Sequence, residues 1–205
     1  MLISFDFLMS KYKPTIKGIL HIGAHECEER GAYLKYKYNE QLWIEAIPEK
    51  VNYCKNRYPD VKIVEAVVSD EDNKEVTFKV TNNYQSSSIF DLKTHLKEHP
   101  HVHVTRNFSA QTKTIKTIYS EQNIDNDRYN FVNIDIQGAE YQALVGMGDI
   151  LDNIDYIYTE VNEKELYDSI VLLPELDKFL NSKGFKRVEL SMTQYGWGDA
   201  FYVRV

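Results

Sequence analysis

The chain is short of several things, and each shortage excludes a class of protein. Its 205 residues include two cysteines, Cys27 and Cys54, without the C-x-x-C spacing of a redox motif or a zinc site. Reduced thiols and a cytoplasmic location are therefore expected. No apolar run approaches the roughly 18 residues of a membrane-spanning helix. The N-terminal MLISFDFLMSKYK lacks a basic leader and a small-residue cleavage site and carries Asp6 within its apolar stretch, so it does not read as a secretion signal. Positive charge is scarce: 24 Lys and Arg face 31 Asp and Glu, a net charge of −7, which disfavours nucleic acid as a partner. Glycine-rich phosphate loops are missing too. There is no G-x-x-x-x-G-K-[ST], and where the dinucleotide fingerprint needs its later glycines after Gly23 the chain has His25 and Glu28. A carboxylate beside a pyrophosphate is repulsive.

What is present is the composition of an ordinary globular domain. At 43% hydrophobic and 27% charged the chain is neither disordered nor fibrous, and its length suits one domain spanning 1–205. Apolar runs at Lys17–Gly23, Gln41–Ala46 and Val61–Val68 read as buried strands. Stretches at Glu26–Tyr38 and Pro48–Tyr58 read as helices between them, so the start is a parallel α/β unit. From Ser69 to Tyr129 the pattern breaks into short alternating segments at Glu75–Val80 and His101–Val104, a short helix at Phe90–Glu98 and polar loops. Such a section inside a compact domain is expected to serve the substrate. Regular units resume with strands at Phe131–Ile136, Ile154–Val161, Phe185–Leu190 and Ala200–Val205, the last antiparallel, and with helices after QGAE and at Leu172–Leu180. About seven sheet strands result.

In an open parallel sheet, ligands bind beyond the carboxyl ends of the strands. Gly23, Ala24 and His25 occupy the first such turn, and Glu45 ends the next strand, where a ribose-binding acid is expected about 20 residues past the turn. The pair points to an adenosine ligand without phosphates, and S-adenosyl-L-methionine meets that requirement. Asp135 ends a central strand, in position to accept a proton or hold an ammonium group. Glu140, in the first turn of the following helix, reads either as a catalytic acid or as a helix-dipole residue. Glu160 reads either as a pocket acid or as a solvated strand end. Ser87 and Ser88, within a serine run, and Trp197, between two glycines, are candidate substrate contacts; a plain loop and a packed ring are the competing readings. The histidines His95, His99, His101 and His103 lack a carboxylate at metal-site spacing, so no metal is expected.

The segments HIGAHECEE, WIEAIPE, EAVVSDED, SSSIF, NIDIQGAEYQAL and YTEVN occur in the order seen in the FkbM family of S-adenosylmethionine-dependent methyltransferases, which the chain resembles from about Ile19 onward. Its most specific element, Asp135 to Glu140, resembles D-x-E-G-A-E with Gln137 in place of the first Glu. The resemblance implies the class I methyltransferase fold: a Rossmann-like, seven-stranded, mostly parallel sheet with an antiparallel C-terminal strand in a three-layer α/β/α arrangement. It implies O-methyl transfer to a hydroxyl of a sugar, glycan or similar small metabolite. It further implies cofactor contacts from His21, Gly23, Ala24, His25, Glu45, Val67, Ser69 and Asp135. His21, Asn133 and Tyr119 depart from the family pattern, and with Gln137 they motivate an alternative: a non-catalytic cofactor-binding module.

Overall fold

The structure, a computed structural model, describes residues 1–93 and 99–205. Its strands in chain order are β1 (Ile19–Ile22), β2 (Gln41–Glu45), β3 (Ile63–Glu65), β4 (Val67–Val68), β5 (Glu75–Thr81), β6 (Val104–Lys113), β7 (Phe131–Ile134), β8 (Tyr156–Asn162), β9 (Phe185–Met192) and β10 (Trp197–Arg204). Seven of them form the main sheet in the order β3-β2-β1-β7-β8-β10-β9. The first five run parallel, while β10 is antiparallel to both of its neighbours. This is the expected mostly parallel sheet with its C-terminal strand reversed.

Strand alternation makes the layers. Leu20 and Ile22 of β1, with Leu42 and Ile44 of β2 and Val132 and Ile134 of β7, belong to one core. Ile19, Trp43 and Phe131, one residue out of phase, belong to another. The first core is closed by α4 (Ile115–Glu121), α5 (Glu140–Val145), a 3-10 turn (Gly148–Asn153) and α6 (Leu173–Ser182); the second by α1 (Phe5–Tyr12), α2 (Arg30–Lys35) and α3 (Pro48–Arg57). Because both faces are covered, these strands are apolar at nearly every position, as a buried parallel sheet requires.

Several elements depart from the sequence reading. The helix expected at Glu26–Tyr38 begins only at Arg30, because His25 and Cys27 adopt positive φ of 44° and 57°, a conformation that cannot start a right-handed helix. The run Val61–Val68 is two strands. Its first part pairs with β2; at Ala66 the chain leaves the main sheet, and Val67–Val68 pairs with β6. Both parts are apolar, so periodicity could not separate them. The stretch from Ser69 to Tyr129 holds more regular structure than its sequence suggests: β5 and the ten-residue β6 form a long antiparallel pair. Most of β6 is exposed, so its order comes from backbone pairing rather than apolar alternation. Helix α4 follows, with Thr114 Oγ1 accepting the Thr117 N–H at 3.1 Å as its N-cap and Ile115, Ile118 and Tyr119 turned inward. The helix expected at Phe90–Glu98 falls partly outside the described residues, as does His95. Residues 90–93 are not helical, and Leu92 bridges to Tyr167.

Candidate active site

The carboxyl ends of β1, β2, β7 and β8 lie along one edge of the sheet, and Gly23, just past β1, stands against the backbone of Asp135, just past β7. Its φ is +93°, and a Cβ there would lie 1.8 Å from the Asp135 carbonyl oxygen. Only glycine satisfies both demands. The Gly23 and Ala24 amides both donate to the Ile44 carbonyl at 2.9 Å, which folds the turn back over the end of β2. Glu45 secures it from below: one carboxylate oxygen accepts the His25 N–H at 2.7 Å and the other the Ile47 N–H at 2.8 Å. Burial raises the Glu45 pKa against these two amides.

Two cavities open from this edge. The smaller, about 70 Å³, is a mostly apolar crevice between Ile44, Ala46, Ile47, Val67 and Phe78, with Glu45 at its lip. The hairpin β5–β6 supplies one wall through the cluster that joins Phe78 and Val80 to Ile47 and Val67. The larger, about 510 Å³, lies over the ends of β7 and β8. Gly23, His25, Gln85, Asp135 and Gln137 border both. Neither lining contains a Lys or Arg among the described residues.

The floor of the larger cavity is a chain of acids linked by an amide. Gln137, at φ +55°, donates from Nε2 to Asp135 Oδ1 at 2.7 Å and to Glu160 Oε2 at 2.6 Å. Its Oε1 accepts the Tyr167 hydroxyl at 2.6 Å, and its backbone carbonyl accepts the Ser88 hydroxyl at 2.7 Å. Burial first, then the charges of Asp135 and Glu140, holds the Glu160 carboxyl well above the usual range. Beside it, Asp199 sits opposite Glu160 in the β8–β10 register. Asp199 accepts the Tyr158 hydroxyl and the Leu2 N–H, and burial raises its pKa.

A polar group runs beneath the cavity as well. His21 stacks on Trp43 with ring centroids 4.2 Å apart, and its Nδ1 lies 3.0 Å from the Tyr33 hydroxyl, which accepts from Asn133 Nδ2 at 2.8 Å. Burial lowers the His21 pKa to about 4, so this imidazole is neutral at physiological pH.

Of the residues selected from sequence, Asp135, Glu160, His21, Gly23, His25 and Trp197 line the larger cavity, and Glu45, Val67 and Ser87 the smaller. Ala24, Ser69, Ser88 and Glu140 line neither. Ala24 is packed below the turn. Ser69 donates to Asp70. The Ser88 hydroxyl is taken by the Gln137 carbonyl, and Ser86, two residues earlier, reaches the larger cavity instead. Glu140 turns inward, accepting the Ile136 and Gly138 amides at 3.0 to 3.1 Å; burial lifts its pKa to about 7. Asp199, Tyr158, Tyr167, Asn83 and Gln85 also line the larger cavity and carry no local sequence signal. Only tertiary packing brings them there. Among the described residues no three His, Cys, Asp or Glu side chains are grouped to hold a metal.

A doubly wound sheet with a reversed last strand, an acid at the end of β2 and a glycine turn without a phosphate loop define a class I methyltransferase. The chain belongs to the FkbM methyltransferase family, whose domain model matches residues 21–187. It is 26% identical over 172 residues to the 2-O-methyltransferase NoeI of Sinorhizobium fredii, covering 78% of this chain and 68% of that one. The fold resembles that of Sp1610 of Streptococcus pneumoniae, a candidate tRNA (m1A22) methyltransferase, with a TM-score of 0.54 at 10% identity over 98% of this chain and 70% of that one. S-adenosylmethionine is the cofactor. The residues fit it: the Gly23 cradle excludes any side chain, the crevice is apolar with a carboxylate at its lip, and His25 Nε2 is buried without a hydrogen-bond partner.

Proposed function

We propose that the protein is an O-methyltransferase that methylates a hydroxyl of a sugar, glycan or similar small metabolite in the cytoplasm, without nucleic acid. Residues 1–205 would act as one domain, with the section at about 69–129 on the acceptor side. The observation that carries this reading is the position of Asp135, a carboxylate that borders both the crevice and the larger cavity. S-adenosylmethionine supplies an electrophilic methyl group, so the protein's tasks are to align an oxygen with it and to take up a proton.

In this reading Glu45 accepts the ribose hydroxyls, and Val67 and Ile47 flank the adenine. Gly23 and His25 give backbone room to the methionine part. Asp135 takes the proton that the acceptor hydroxyl loses, and Gln137 and Glu160 hold its carboxylate in position. Similarity to a 2-O-methyltransferase supports oxygen as the methylated atom.

The test uses methyl-labelled S-adenosylmethionine, a panel of hydroxylated acceptors and NMR detection of methoxy products. Asp135→Asn should lower turnover by about a hundredfold while calorimetry still registers binding of S-adenosylhomocysteine. If the wild type binds that product but methylates no hydroxyl in the panel, the non-catalytic module, favoured by Gln137 in the acidic motif, replaces this reading.

A further inference from the structure

We propose that the acceptor is an uncharged polyhydroxylated ring, a free or glycosidic sugar without phosphate or carboxylate, and that phosphorylated and nucleotide-linked sugars are rejected. This rests on the O-methyltransferase reading and narrows its substrate class.

Three independent features of the larger cavity support it. The first is charge. Asp135, Glu160 and Asp199 share the floor, Glu28 and Glu29 stand at the rim, and no Lys or Arg lines the cavity among the described residues. Phosphate recognition relies on Arg or Lys, or on backbone amides at a helix N-terminus. The first turn offers no such amides, because those of Gly23 and Ala24 are taken by the Ile44 carbonyl and that of His25 by Glu45. An anionic acceptor would thus meet a surplus of carboxylates in a partly dehydrated cleft, where the Met1 ammonium already faces Glu29 at 4.0 Å and like charges repel far more than in water.

The second feature is a surplus of neutral hydrogen-bonding groups. Neither the Gln85 amide nor the Trp197 indole N–H makes a hydrogen bond among the described residues, yet both side chains border the cavity. These groups suit hydroxyls, which both donate and accept. The third is aromatic surface. Trp197, half-buried against the cluster of Leu166, Tyr167 and Ile170, lines the cavity and offers the flat apolar contact that a sugar ring's C–H face requires. At about 510 Å³ the space is of small-molecule size and must also take the methionine end of the cofactor.

The experiment uses full-length protein loaded with S-adenosylhomocysteine. Methyl glycosides of glucose, fucose, rhamnose and N-acetylglucosamine are compared by saturation-transfer NMR with glucose 6-phosphate, methyl glucuronide and UDP-glucose at millimolar concentration. The same compounds are then offered with labelled S-adenosylmethionine. At least one neutral glycoside should bind and be methylated on oxygen, with every anionic compound weaker by about tenfold or more. Gln85→Arg, which places a cation on the cavity wall, should shrink that ratio.

Faster O-methylation of a phosphorylated or nucleotide-linked sugar would overturn the inference and leave the O-methyltransferase reading intact. The inference falls in the same way if no neutral glycoside binds while another hydroxylated compound is O-methylated. Methylation on nitrogen or carbon would instead overturn the underlying reading. A ratio unchanged in Gln85→Arg would show that the discrimination does not arise from the charge of this cavity.

Discussion

The amide of Gln137 stands 2.6 Å from the carboxyl of Glu160 and donates to it. The Tyr167 hydroxyl, donating to Gln137 Oε1, fixes which end of the amide faces the acids. A neutral donor therefore sits between Glu160 and Asp135, where a third carboxylate would crowd the two already present. Gln137→Glu should lower the thermal midpoint by the equivalent of about 1–3 kcal/mol, since an acceptor replaces a donor between two acceptors. Its pH–rate profile should move to higher pH, because added negative charge raises the pKa of neighbouring acids. A variant whose profile superimposes on that of the wild type would show that Gln137 does not set the charge state of this group.

Gly23→Ala tests the closest approach in the site. The added Cβ would meet the Asp135 carbonyl oxygen at 1.8 Å, so β1 and β7 would have to separate and the residue would remain at a φ that L side chains rarely adopt. Destabilisation of roughly 3 kcal/mol or more is expected in chemical unfolding, with loss of S-adenosylhomocysteine binding by calorimetry. Wild-type affinity in this variant would show that the turn is not held as described.

Glu140 predicts a pH dependence of stability. Its folded pKa of about 7 lies above the ordinary 4.5 of a glutamate, so the folded protein holds the proton more tightly than the unfolded chain. The stabilisation is fully present below about pH 4.5 and is lost as pH rises through 7, by roughly 3 kcal/mol. Urea midpoints for the wild type and Glu140→Gln across this range should show a smaller decline in the variant, although its overall stability is lower because two backbone amides lose their carboxylate. Parallel curves would contradict the assignment.

His21 gives the opposite sign. Burial lowers its pKa to about 4 from 6.5, so the unfolded chain binds the proton first and stability falls as the pH drops from about 6.5 towards 4, again by roughly 3 kcal/mol. His21→Phe, which preserves an aromatic ring against Trp43, should flatten the acid limb of the stability curve. The His21 ring nitrogens of the wild type should show no titration in ¹⁵N NMR above about pH 5; a midpoint near 6.5 would rule out the buried, neutral form.

The sequence determined the strand-rich core and the first turn, because those are local facts. Strands buried on both faces are apolar at most positions, so β1, β2 and β7 stand out as runs. The strained turn requires Gly23, and Glu45 follows one crossover later. The acidic motif from Asp135 to Glu140 likewise announces a strand end followed by a helix. What it could not determine is direction and distance. Glu140, at a helix start, and Glu160, at a strand end, each read equally well as a site acid or as a plain surface charge, yet one turns inward to hold two amides of its own loop and the other faces the cavity. The alternation at Glu75–Val80 marks β5, but the ten residues of its partner β6 were illegible because their order comes from a backbone ladder, which polar residues satisfy as well as apolar ones. Asp199 and Tyr167 join the site only because β10 runs antiparallel beside β8 and the chain around Leu92 bridges to Tyr167. Pairing register and loop closure depend on residues far apart in the chain, so only the tertiary structure decided which acids, amides and rings share one cavity.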